Sequence, residues 1–185
     1  SGLRSIPNLN VFRPADTTET LECWQLALEN TNTPSIIALT RQKLEQVRKE
    51  FVKENKCFKG AYELSRNNEK VDLTILASGS ELTLALEVSH KLATQNTYSK
   101  VISVPCLNYF EEQSNDYKEK ILNETKYKVS IEAAATDCWK KFVGNNGLCF
   151  GIDNFGKSAP YKDAFKHFGL TSDNIVKKIK EMINN

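Results

Sequence analysis

The chain has 185 residues, 40% hydrophobic and 26% charged, with a formal net charge of +2. That composition suits one good core, or one domain and part of another, and its charge gives no case for nucleic acid. No apolar run reaches membrane length, and five cysteines without C-x-x-C spacing beside two histidines fit reduced thiols in a cytosolic protein better than a zinc site.

In chain order, residues 10–13 predict a short strand ended by Pro14. Asp16 and Glu19 form a D-x-x-E capping pattern. Leu21, Trp24, Ala27 and Leu28 then predict the apolar face of a helix ending near Asn30. After the turn 31–34, residues 35–41 predict a buried strand that stops on Arg41. Two strands and a helix cannot bury a core alone, so residues 1–42 read as the end of a larger domain. Residues 43–59 are highly charged; Leu44, Val47 and Phe51 allow some helix in what reads as an interdomain linker.

A second domain is predicted over 60–185. Residues 60–64 form a brief strand, expected to pair as an antiparallel hairpin with 73–77. The run 73–77 reads as a strand buried on both faces. Ser78-Gly79-Ser80 ends it, with Ser78 and Glu81 matching S-x-x-E, before a helix carrying Leu82, Ala85, Leu86 and Leu92. Strands at 101–104, 129–133 and 148–152 alternate with helices at 111–122, 136–142 and 161–168. Gly169 suits a helix C-cap, and Thr171 precedes a closing helix. The fold class is α/β: an open, mostly parallel sheet of about five strands with helices on both faces, preceded by a partial β-α-β segment.

Arg41 is the foremost candidate for chemistry. It stands at the carboxyl end of a strand, where open α/β sheets bind ligands, and a guanidinium matches a phosphate with two parallel hydrogen bonds. A structural ion pair with a carboxylate is the competing reading. Ser78-Gly79-Ser80 offers either an anion cradle or plain capping. The loops 105–108 and 153–156 could line the same crevice. His90 and His167 fit surface positions on helices, and Cys138 beside Trp139 fits core packing.

Several motifs resemble transketolase in order. They are Leu3-Arg4-Ser5-Ile6-Pro7-Asn8, Val11-Phe12-Arg13-Pro14-Ala15-Asp16, the stretch from Thr33 to Gln42, Ala77-Ser78-Gly79-Ser80-Glu81, the stretch from Phe150 to Pro160, and Phe168-Gly169-Leu170-Thr171. The resemblance implies that residues 1–42 end a domain that binds the aminopyrimidine of thiamine diphosphate, that 43–59 is a linker, and that 60–185 is the C-terminal domain. It implies that Arg41 grips the phosphate of a sugar substrate. Thr40 and Lys43 flank it where serine and asparagine are usual.

The implied activity of the complete protein is transfer of a two-carbon ketol group between phosphorylated sugars. Thiamine diphosphate and a divalent cation, magnesium or calcium, would be its cofactors, with a cytoplasmic homodimer as its form. The family's catalytic, cofactor and metal residues would lie upstream, so none is expected in this chain, which should be inactive alone. Alternatives are a related thiamine diphosphate enzyme, such as deoxyxylulose-phosphate synthase or a 2-oxoacid dehydrogenase subunit, and a free-standing binding or dimerisation module.

Overall fold

The computed structural model describes residues 2–50 and 52–184. Phe51, one of the three apolar residues expected in the linker, lies outside them. Strand β1 (Asn10–Phe12) pairs in parallel with β2 (Ser35–Ile37), and helix α1 (Thr17–Glu29) joins the two. The side chain of Asp16 caps α1 by accepting the Glu19 N–H at 2.8 Å. Glu19 departs from the expected box and accepts the Ala15 N–H at 2.7 Å.

Of the predicted inner face of α1, Ala27 packs inward against the cluster of Cys23 and Leu26, and the other three residues face outward. Leu21, Trp24 and Leu28 are 72%, 50% and 73% exposed, whereas Glu19, Glu22, Cys23 and Leu26 are buried. A period of 3.6 defines a stripe, not the direction in which it is turned. Donors from the neighbouring sheet and linker claim the two glutamates. β2 is also shorter than the predicted strand 35–41, and it is half-buried because β1 is its one strand neighbour.

Residues 43–59, read above as a linker, form no α-helix among those described. Their backbone is tied to α1 instead. Val47 and Arg48 N–H groups donate to the Asp16 carboxylate at 3.2 and 3.0 Å, and Arg48 pairs with Glu22 at 2.6 Å. A 3-10 turn at Lys56–Lys59 ends at Gly60, with φ +75°. A Cβ there would come within 2.3–2.4 Å of the Phe110 and Cys106 backbone, so glycine is required twice over.

The main sheet contains β3 (Tyr62–Arg66), β4 (Leu73–Ala77), β5 (Ser99–Ser103), β6 (Tyr127–Ile131) and β7 (Leu148–Phe150). Its helices are α2 (Glu81–Ala93), α3 (Leu107–Glu111), α4 (Asn115–Leu122), α5 (Asp137–Val143), α6 (Tyr161–His167) and α7 (Ser172–Asn184). The order β3-β5-β4-β6-β7, with β3 alone antiparallel, gives the expected open α/β sheet. The predicted hairpin does not form. Both edges of β4 are taken by parallel neighbours, β5 and β6, so β3 pairs with β5. The predicted helix 111–122 is broken before α4, where Ser114 accepts the Tyr117 N–H at 3.3 Å.

β4 is buried throughout, as a central parallel strand should be. Leu73, Ile75 and Ala77 pack on one face with Leu82, Val88, Ile175 and Ile179. Leu76 packs on the other with Ile102, Phe110, Trp139 and Phe142. A third cluster, including Phe12, Cys23, Leu26, Cys57, Tyr62 and Cys106, joins the small sheet to the large one. No described helix is long and apolar enough to cross a membrane.

Amide exchange should report this asymmetry. Ile36 to Leu39, at a half-buried edge, should exchange faster than Leu73–Ala77 in a hydrogen-exchange experiment, because local opening needs fewer broken contacts. Equal protection in a demonstrated monomer would contradict it.

Candidate functional site

The chain leaves β4 to form β5 on one side, then returns to form β6 on the other. The carboxyl ends of β4 and β6 therefore flank a topological switch point, the usual ligand crevice of such sheets. Ser78 and Gly79 follow β4 there, and Glu132 follows β6.

That crevice is filled by the chain's own N-terminal segment. The Glu132 carboxylate, fully buried, accepts a two-pronged contact from Arg4 at 2.7 and 2.8 Å. It also accepts the Trp139 indole N–H at 2.6 Å, the Ser78 hydroxyl at 2.7 Å, and Arg13 Nη1. Arg13 reaches across with Nη2, 3.0 Å from Glu81, whose carboxylate also accepts the Ala133 N–H at 3.1 Å. Arg13 is thus seated between two carboxylates, while Arg4 pairs with Glu132. Burial alone pushes the Glu132 carboxyl up, but the Arg4 fork and then Arg13 hold it down at about 2.

The arrangement corrects the capping expectation. Ser78 serves Glu132, Glu81 serves Arg13, and Ser80 stands at the N-cap of α2 without a capping bond from its side chain. The ion pair with Arg13 takes the Glu81 carboxylate away from the backbone N–H that a capping box would give it. Gly79, at φ +61°, donates its N–H to the Arg13 carbonyl at 2.9 Å. A Cβ at that position would touch the Arg13 guanidinium at 3.3–3.4 Å.

A second buried carboxylate stands where the small sheet meets the large one. Glu19 accepts the Tyr62 hydroxyl at 2.7 Å and the Ser103 hydroxyl. Burial pushes its carboxyl up against those donors, and no cation faces it among the described residues.

Arg41 follows β2 in an exposed loop and enters no ion pair among the described residues. The competing ion-pair reading is therefore not what the structure shows. Thr40 shapes the loop by accepting the Gln42 N–H at 3.2 Å. A groove of about 580 Å³ runs between this loop and α2, with Thr40, Gln42 and Lys43 on one side and Arg13, Glu81 and Thr83 on the other.

The remaining candidates scatter. Pro105 accepts the Arg13 N–H at 2.8 Å, so that loop docks β1. Asp153 accepts the Thr136 N–H and hydroxyl at 2.7 and 2.9 Å, while Asn154, Phe155 and Gly156 are exposed. His90 and His167 lie exposed on separate helices. Cys138, half-buried, lies with its Sγ 3.5 Å from Arg4 Nη1. Among the described residues no group of three His, Cys, Asp or Glu side chains stands together to hold a metal ion, so they do not fit a divalent-cation site.

Arg4, Arg13 and Glu132 escaped the sequence reading. Arg13 and Glu132 each follow an apolar strand run directly, the same signal that singled out Arg41.

A family model described as the transketolase-like TK C-terminal domain matches residues 60–171, and one described as the transketolase pyrimidine binding domain matches residues 1–46. The chain is 42% identical over 182 residues to transketolase of Sinorhizobium medicae, covering 98% of this chain and 26% of that protein. It is 40% identical to the probable transketolase of Streptococcus pneumoniae over 183 residues, 98% of this chain and 28% of that protein. Among solved structures, transketolase from Campylobacter jejuni has a TM-score of 0.86 at 36% identity, over 97% of this chain and 27% of that one. A Pichia stipitis transketolase mutant in complex with fructose 6-phosphate has a TM-score of 0.89 at 34% identity, over 99% and 26%. The chain spans about a quarter of the length of the curated relatives it matches.

Proposed function

Because the chain belongs to the transketolase family, we propose that it is the C-terminal portion of an enzyme that transfers a two-carbon ketol group between phosphorylated sugars. The observation that carries the reading is identity of about 40% to transketolases along nearly the whole chain, through both of its family-model matches. In this reading residues 1–42 end the pyrimidine-binding domain, 43–59 link, and 60–185 form the C-terminal domain. Arg41 supplies the substrate-phosphate contact, which its exposed and unpaired guanidinium leaves it able to make.

The complete enzyme would use thiamine diphosphate, which stabilises the two-carbon carbanion when bound, together with a divalent cation. It would act as a cytoplasmic homodimer. The groups that hold cofactor and cation belong upstream of this chain in the proposal.

The test is an assay of the complete protein with a phosphorylated ketose donor and a phosphorylated aldose acceptor. Ketol transfer that depends on thiamine diphosphate is expected; its absence would overturn the reading. The isolated 185-residue chain should give no heat of cofactor binding in calorimetry, and micromolar binding would contradict the placement of the cofactor groups.

A further inference from the structure

The loop that carries Arg41 starts and ends on one short segment of chain, residues 12–18. At its start the Ala38 N–H donates to the Phe12 carbonyl at 2.8 Å. At its end the Val47 and Arg48 N–H groups donate to Asp16, and Gln46 donates to the Thr18 hydroxyl at 2.7 Å. Between these anchors the groove separates the loop from α2, so its placement depends on the anchored stretch. That stretch is in turn fixed through Arg13. The Arg13 N–H donates to Pro105, its carbonyl accepts from Gly79, and its guanidinium is seated between Glu132 and Glu81.

We infer, resting on the reading of Arg41 above, that Arg13 is a positioning residue for the substrate-phosphate contact. It does not bind the phosphate itself. Its guanidinium already faces two carboxylates, and its side chain is only 20% exposed. It pins the shared end of β1 and β2 to the carboxyl ends of β4 and β6, and so fixes how far Arg41 reaches. A fork held by charge-assisted bonds in two directions defines a position that a point charge would not. Small misplacements of a binding group are costly in rate and affinity.

The experiment compares Arg13→Ala, Arg13→Lys, Arg41→Ala and the Arg13→Ala/Arg41→Ala pair in the complete enzyme, each with a phosphorylated and a non-phosphorylated ketose donor. Arg13→Ala should raise KM for the phosphorylated donor about tenfold, as a displaced contact would, and leave the non-phosphorylated donor nearly unchanged. Arg13→Lys should fall between wild type and Arg13→Ala. Millimolar ethylguanidinium should partly restore Arg13→Ala and leave wild type unaffected. The double variant should be no worse than Arg41→Ala, because both changes act through one contact.

Equal losses for both donors, or losses that add in the double variant, would overturn the inference. If Arg13→Ala does not fold, Glu81→Gln weakens one arm of the seat and leaves Glu132 in place. It should shift the same KM in the same direction by less, and no shift would overturn the proposal. Should Arg41→Ala itself treat both donors alike, the phosphate reading fails and takes this inference with it. Should Arg41→Ala discriminate while Arg13→Ala does not, only the positioning role fails.

Discussion

Glu132→Ala is expected to destabilise the chain by about 3–5 kcal/mol, the usual cost of removing one partner from a buried ion pair. The loss would leave Arg4 without its carboxylate partner, Arg13 with Glu81 alone, and the Trp139 indole N–H without its acceptor. Set against a typical total of about 5–15 kcal/mol, that is a large share. A denaturant titration measures it. A midpoint within error of wild type would show that water replaces the carboxylate freely. Glu132→Gln keeps the shape and an acceptor, so it should cost less.

The same group shapes the response to acid. Its native carboxyl is held at about 2, below its ordinary value of 4.5. Its contribution is therefore complete above about pH 4.5 and is lost as the pH falls toward 2. At about 1.4 kcal/mol per pH unit, it amounts to about 3 kcal/mol. Glu19 acts in the opposite sense: burial raises its carboxyl, so acid favours the native state through it. Glu124 is also held at about 2, by Arg66 and Lys100, but at the surface, where solvent and salt weaken the effect. The acid limb of Glu132→Gln should consequently be shallower than that of wild type. Parallel limbs would assign acid sensitivity to other carboxyls.

Arg41→Ala in the complete enzyme should raise KM for phosphorylated donors by about ten- to a hundredfold. A charge-assisted hydrogen bond contributes about 1.5–3 kcal/mol, and about 1.4 kcal/mol corresponds to a factor of ten. Turnover should fall less, because a phosphate remote from the reacting carbon is bound much alike in ground and transition states. Arg41→Lys should recover part of the loss, since an ammonium lacks the two-pronged geometry. A non-phosphorylated donor is the control. Nearly unchanged kinetics with it are expected, and an equal loss with both donors would mean that Arg41 supports the fold instead.

The large sheet was legible because its signals are local. The short, mostly apolar run at Leu73–Ala77, bounded by turn residues, reads as a strand covered on both sides, and the structure buries all of it. Pairing was harder to read. Nothing within residues 60–77 reveals that β5 and β6 will occupy both edges of β4 and exclude the hairpin. The outward turn of Leu21, Trp24 and Leu28 was hidden for a related reason. The partners that draw Glu19 and Glu22 inward, Tyr62, Ser103 and Arg48, lie far along the chain. Glu132 and its arginines illustrate the limit at the site. Each stands at an informative strand end or turn, but the ion cluster exists only once segments more than a hundred residues apart in sequence meet.

The attachment of residues 43–59 along α1 has a consequence for association. A covalent tether between two docking pieces turns their encounter into an intramolecular one, at an effective concentration of order millimolar for a short link. Here the tether is held by Asp16 and Glu22 along its way, which narrows the search further. An intrinsic affinity of only about millimolar, roughly 4 kcal/mol, thus suffices to fill the arginine seat between β4 and β6 half of the time, and each further 1.4 kcal/mol or so cuts the empty fraction about tenfold. Carried on separate polypeptides, the same two surfaces would meet at their own dilute concentrations, and a fit that suffices within one chain would come apart.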